Sequence, residues 1–149
     1  MKQKYIDLYM DWATRAAELS HARRLHVGAV VVKDDTVISY GYNGMPAGWD
    51  NNCEDEIYQQ DGTVGTKTKA EVLHAESNAI AKLAKSHNSG LGADIFITHA
   101  PCIECSKLIY QSGIRRVYFS QAYRDDAGIK FLQKSGIEVK QISNDNTSL

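Results

Sequence analysis

Near the N-terminus, over residues 5–20, apolar side chains recur at Ile6, Tyr9, Met10, Ala13, Ala16 and Ala17. Steps of three and four residues place them on one stripe, so the spacing predicts an amphipathic helix whose stripe enters the core. The pattern then changes. Val27-Gly28-Ala29-Val30-Val31-Val32 is β-branched and nearly all apolar, as expected of a strand covered on both faces. Asp34-Asp35 read as a turn, and Thr36–Tyr42 return as a second strand to complete a hairpin. Residues 43–69 are polar and rich in glycine, with no sustained period, and read as a long loop of the kind that carries function. Helical spacing resumes over 74–86 through Ala75, Ala79, Ile80, Leu83 and Ala84. Residues 94–98 form a third predicted strand. Pro101 then opens a third helix, with Leu108 and Ile109 expected on its buried side and Gly113 at its end. Residues 116–120 read as a fourth strand, Ala127–Lys134 as a fourth helix, and 138–142 as a fifth strand.

The predicted order is αββαβαβα followed by a last strand. Strands alternating with helices after an opening hairpin argue for one mixed sheet flanked by helices, in a single domain over 1–149. At 149 residues such a core forms without disulfide staples. A composition of 43% hydrophobic and 23% charged residues is that of an ordinary globular chain. No apolar run approaches the roughly 20 residues that span a bilayer. No apolar stretch follows the charged start Met1-Lys2-Gln3-Lys4-Tyr5, which leaves the cytoplasm as the expected compartment. The net charge of −1 lacks the basic excess of proteins that live on long nucleic acid, so a small substrate is expected.

The three cysteines, Cys53, Cys102 and Cys105, are too few for a disulfide framework. Two of them fall in Pro101-Cys102-Ile103-Glu104-Cys105, and a second segment reads His74-Ala75-Glu76. One imidazole and two thiolates suit Zn²⁺, and three protein ligands leave the fourth tetrahedral position open, as catalytic rather than structural sites do. Cys102 and Cys105 stand at i and i+3, neighbours on one helical turn. His74 and Glu76, at i and i+2, diverge on a continuous helix. They converge only if His74 sits at the helix entrance with non-helical backbone. Two helix N-termini then face the metal, and their partial positive charge favours thiolates and hydroxide. A redox dithiol would need neither His74 nor Glu76, and a structural zinc site would require a fourth ligand.

Zinc lowers the pKa of bound water from about 15.7 toward neutrality, although two thiolates weaken that effect. A carboxylate beside the water compensates by taking its proton, and Glu76 has that position in the sequence. His-x-Glu followed by Pro-Cys-x-x-Cys resembles the signature of zinc nucleobase deaminases, in which the glutamate is not a ligand.

Further stretches make the chain similar to the deoxycytidylate deaminase family over most of its length. They are Arg23-Arg24-Leu25-His26-Val27-Gly28-Ala29-Val30, Gly41-Tyr42-Asn43-Gly44-Met45-Pro46-Ala47-Gly48, the run from His74 to Ile80, and Gln111-Ser112-Gly113-Ile114. The resemblance implies a cytidine-deaminase-like three-layer α/β/α fold with a five-stranded mixed sheet, a homohexamer, and hydrolysis of dCMP to dUMP and ammonia. It also implies activation by dCTP with Mg²⁺ and inhibition by dTTP. On the same ground Asn43 is expected at the sugar or base, the backbone around Ala75 and Ala100 at the pyrimidine edge, and Arg24 and Tyr123 at the phosphate. An effector triphosphate is expected at Gly44, Met45, Pro46, Gly48, Trp49 and Asn78. Cys53 is read as a plain loop or buried thiol, and a second zinc using Cys53 with His21 or His26 is the lesser alternative, since the cysteines that some relatives use are replaced by Ala22 and Arg23. Two alternatives remain at this level. One is a related deaminase acting on tRNA adenosine, guanine or cytidine; the other is a non-catalytic zinc module.

Overall fold

The computed structural model describes residues 1–142. The opening stripe forms α1 (Gln3–Ala17), with all six apolar positions buried. It is followed by β1 (Gly28–Lys33), β2 (Thr36–Tyr42), β3 (Glu54–Tyr58) and β4 (Val64–Thr68). The remainder alternates as α2 (Ala75–Ala84), β5 (Asp94–His99), α3 (Ile103–Gln111), β6 (Arg116–Gln121), α4 (Ala127–Lys134) and β7 (Glu138–Gln141).

Five strands make one mixed sheet in the order β2-β1-β5-β6-β7. β1 pairs antiparallel with both β2 and β5, placing Ala29 opposite Gly41 and Ile97. β5, β6 and β7 run parallel, joined through α3 and α4. Alternation along the strands divides the core in two. Ala29, Val31, Ile95, Ile97 and Val117 point to one face and pack with residues of α2, α3 and α4. Val30, Val32, Phe96 and Tyr118 point to the other, against Ile6, Tyr9, Met10 and Ala13 of α1. The expected three-layer α/β/α arrangement is therefore present. It also explains the apolar run in β1, which is buried on both faces. No helix among the described residues is long and apolar enough to cross a membrane.

Two expectations need correction. The stretch 43–69, read as loop throughout, contains the β3–β4 hairpin, a separate two-stranded sheet. Only Glu54 of its ten strand residues is buried, so no apolar alternation marked it in the sequence. The second concerns α3. Its buried side is Cys105, Ser106 and Ile109, and Leu108 is exposed. Cys102, Cys105, Ser106 and Ile109 follow the i, i+3, i+4, i+7 line, and Leu108 lies about 100° off it.

Candidate metal centre and active site

α2 and α3 bring their first turns together at the carboxyl ends of the parallel strands, where open α/β sheets place their sites. Missing side chains allow the close approach. A Cβ on Gly41 of β2 would stand 2.3 Å from the Ala75 carbonyl oxygen at the start of α2. One on Gly128 of α4 would stand 2.2 Å from the Pro101 carbonyl oxygen, just before α3. His74 is the residue before α2, with extended backbone (φ −80°, ψ 154°). Cys102 holds the same place before α3 (φ −70°, ψ 170°). Neither side chain caps its helix, so both remain available as ligands. The non-helical entrance required of His74 is thus observed.

His74 Nδ1 lies 3.3 Å from Cys105 Sγ and 3.6 Å from Cys102 Sγ. With Zn–S near 2.3 Å and Zn–N near 2.0 Å, tetrahedral ligands stand about 3.5 Å apart. The observed spacings match those edges, so this donor set fits one zinc ion. Among the described residues these three form the group of His, Cys, Asp and Glu side chains with metal-ligand spacing, and Glu76 lies outside it. Cys53 lies elsewhere. It is buried, its thiol donates to the Asn51 carbonyl, and His26 Nε2 bonds the Ala22 carbonyl. Among the described residues Cys53 joins no group with metal-ligand spacing, in keeping with its reading as a buried thiol rather than with the alternative of a second zinc site.

The two thiols share a proton unequally: the bond to Cys102 and burial raise the Cys105 thiol, and Cys102 is the favoured thiolate. The Cys105 thiol and His74 both donate toward Cys102, and these bonds hold the Cys102 thiol down to about 4. The Cys102 bond in turn raises His74. Burial pushes the Glu76 carboxyl above the ordinary carboxylate range, against the lowering contact with Cys105. A carboxylate that takes up a proton readily beside a metal site is suited to general acid–base work.

A cavity of about 170 Å³ opens in front of these groups. Its lining brings together the expected Arg24, Asn43, Ala75, Glu76, Ala100 and Tyr123. Asn43 is already committed to the backbone: its Oδ1 accepts from Val27 N at 2.8 Å and its Nδ2 donates to the Leu25 carbonyl at 2.8 Å. It shapes the cavity edge as well as lining it. Sequence reading missed Glu54 and His99, which also line the cavity. Thr98 Oγ1 bonds His99 Nδ1 at 3.0 Å, and burial lowers the pKa of this imidazole. Nothing in a single histidine or glutamate of the sequence distinguished either residue.

Gly44, Met45, Pro46, Gly48 and Asn78 line a second cavity of about 270 Å³. Trp49, grouped with them from the sequence, is not among its walls and is 56% exposed. Asn78 Nδ2 donates to the Tyr42 carbonyl, and a paired bridge joins Gly44 to Leu73, the residue before His74.

Three ligands and one adjoining carboxylate, at the carboxyl ends of a mixed α/β sheet, have the layout of a catalytic zinc protein. Residues 3–121 match the family model for the cytidine and deoxycytidylate deaminase zinc-binding region. The chain belongs to that family. ComE operon protein 2 of Bacillus subtilis is 37% identical over 123 residues, covering 82% of this chain and 62% of its own length. The deoxycytidylate deaminase of Mycobacterium phage D29 is 38% identical over 120 residues, covering 76% of this chain and 91% of its own. The crystal structure of dCMP deaminase from cyanophage S-TIM5, in complex with dCMP and dUMP, superposes with a TM-score of 0.85 and 41% identity. That likeness covers 95% of this chain and 99% of the phage chain. The chain thus spans a little under two thirds of the Bacillus protein and nearly all of the phage ones.

Proposed function

We propose that the protein hydrolyses the exocyclic amine of dCMP, giving dUMP and ammonia. One observation carries the reading: His74 and Cys102 of the His74–Cys102–Cys105 donor group and buried Glu76 line a single cavity with Arg24 on its wall. The phage relative solved with dCMP and dUMP supports the choice of substrate. Zinc, when bound by His74, Cys102 and Cys105, supplies an acidified water at neutral pH. Glu76 accepts a proton from the attacking water and delivers it to N3 of the ring. It then passes the second water proton to the departing amine, so that C4 gains a carbonyl oxygen and ammonia leaves. Transfers of this kind contribute about 10²–10⁴-fold in rate. The arginine fork of Arg24 suits phosphate oxygens, and Tyr123 lines the same cavity as the second candidate for that end. Ala75 and Ala100 present backbone groups to the pyrimidine edge, and Asn43 lines the same cavity and fixes the backbone at Leu25 and Val27, just before β1.

Regulation belongs to the same proposal. The second cavity accepts dCTP with Mg²⁺ as activator and dTTP as inhibitor, through Gly44, Met45, Pro46, Gly48 and Asn78, with Trp49 at its outer edge. The Gly44–Leu73 bridge supports this, because it connects that cavity to the residue preceding a metal ligand. The working assembly is a homohexamer in the cytoplasm. Incubation of zinc-loaded protein with dCMP, followed by ammonia release, tests the central reading. Steady production of dUMP is expected, and no turnover with or without dCTP would overturn it.

A further inference from the structure

Glu54 stands out among the groups the mechanism leaves unused. It is 2% exposed, lines the cavity, and lies at the foot of the β3–β4 hairpin. Its Oε1 accepts the backbone N–H groups of Arg23 at 2.8 Å and Arg24 at 3.2 Å. Its Oε2 takes the Arg23 guanidinium at 3.3 Å. Burial alone would raise this carboxyl; the N–H donors and the guanidinium outweigh it and leave the pKa lowered. A buried carboxylate is costly unless each lone pair finds a donor, and here the donors are two consecutive amides of one turn.

The two arginines on that turn differ. Arg23 is committed to Glu54 and to Asn52 Oδ1. Arg24, among the described residues, enters no ion pair, and it lines the cavity. Downstream, Asn43 holds the carbonyl of Leu25 and the N–H of Val27. The wall from 23 to 27 is therefore clamped at both ends, by Glu54 and by Asn43.

We propose that Glu54 is a positioning residue for substrate binding: it holds the Arg23–Arg24 turn so that Arg24 meets the anionic end of the nucleotide. This rests on the proposed function, with a phosphate-bearing substrate. It acts through Arg24 and touches no reacting atom, so its removal separates binding from chemistry.

The test uses zinc-loaded protein and the variants Glu54→Ala and Glu54→Gln. Glutamine keeps the Oε1 acceptor for both amides and loses only the ion pair. Glu54→Ala is expected to raise KM for dCMP roughly tenfold, with kcat changed less than about threefold. Glutamine restores most of the loss. With 2′-deoxycytidine, which lacks the phosphate, kcat/KM is expected to change less than about threefold, because no anionic end reaches Arg24. Equal losses on both substrates would reduce Glu54 to a structural residue and overturn the proposal, as would an unchanged KM for dCMP. Two further measurements are independent of turnover. Amide hydrogen exchange at Arg23 and Arg24 should accelerate in the alanine variant, and binding of inorganic phosphate, read by calorimetry, should weaken. If the wild-type protein leaves dCMP untouched, the functional reading fails. Glu54 is then judged by exchange and phosphate binding, where no difference between wild type and alanine overturns its role.

Discussion

Gly128→Ala perturbs the metal centre without touching a ligand. Its added Cβ would lie 2.2 Å from the Pro101 carbonyl oxygen, 2.7 Å from Ser106 Oγ and 2.8 Å from the Cys102 carbonyl carbon. Two of those three atoms are backbone at the start of α3, and Ser106 is fully buried, so no flexible side chain absorbs the overlap. Reaching an ordinary contact near 3.4 Å requires α4 and α3 to part by about 1 Å. Overpacking of this kind costs roughly 1–3 kcal/mol. At about 2–4 °C per kcal/mol for a chain of this size, calorimetry should show a melting temperature lower by roughly 2–12 °C. The displacement falls on Cys102 and Cys105, and an error of about 1 Å at reacting groups costs on the order of 10²-fold. Faster zinc loss to a chromogenic chelator and reduced kcat/KM should accompany the lower melting point. Gly65→Ala is the control, because its Cβ meets only the Gln59 side-chain amide at 3.3 Å. It should stay within about 0.5 kcal/mol of wild type. Should Gly128→Ala melt, bind zinc and turn over like wild type, the tight packing of α4 on the ligand-bearing turn would be refuted.

Glu76→Gln should retain stoichiometric zinc while kcat falls about 10²–10⁴-fold, and undiminished turnover would remove Glu76 from proton transfer. Cys102→Ser or Cys105→Ser should abolish zinc retention by elemental analysis, whereas Cys53→Ala should leave one zinc per chain. Loss of metal in the latter would contradict the separation of Cys53 from the ligand group. Stability should also depend on pH through Glu54. Its folded pKa lies below its ordinary value of 4.5, so its contribution is present above 4.5 and is lost as pH falls through the folded value. Urea unfolding across pH 6 to 3 should therefore show a steeper loss in wild type than in Glu54→Gln; parallel curves would contradict the buried charge.

The elements that bury an apolar stripe or face were the ones legible from sequence. The β1 run and the α1 stripe owe their patterns to burial, and both elements lie where periodicity places them. The β3–β4 hairpin was not legible because none of its strand side chains except that of Glu54 is buried, so backbone pairing maintains it without an apolar period. Leu108 misled because a large apolar residue was weighed above the polar and sulfur-bearing line that in fact faces inward. At the site, metal ligands could be read from residue type and spacing, since few side chains bind zinc. Glu54 could not, because its significance arises from two amides and a guanidinium 30 residues or more away in the chain. Trp49 is a conspicuous residue in a recognised stretch, yet it is exposed and is not among the walls of the cavity its neighbours line.

X-ray absorption spectroscopy at the zinc edge tests the central claim most directly. The account predicts one zinc per chain with two sulfur neighbours near 2.3 Å, one imidazole nitrogen near 2.0 Å, and a single exchangeable oxygen completing four. A fourth ligand from the protein, or a metal shell that survives replacement of His74, would contradict it.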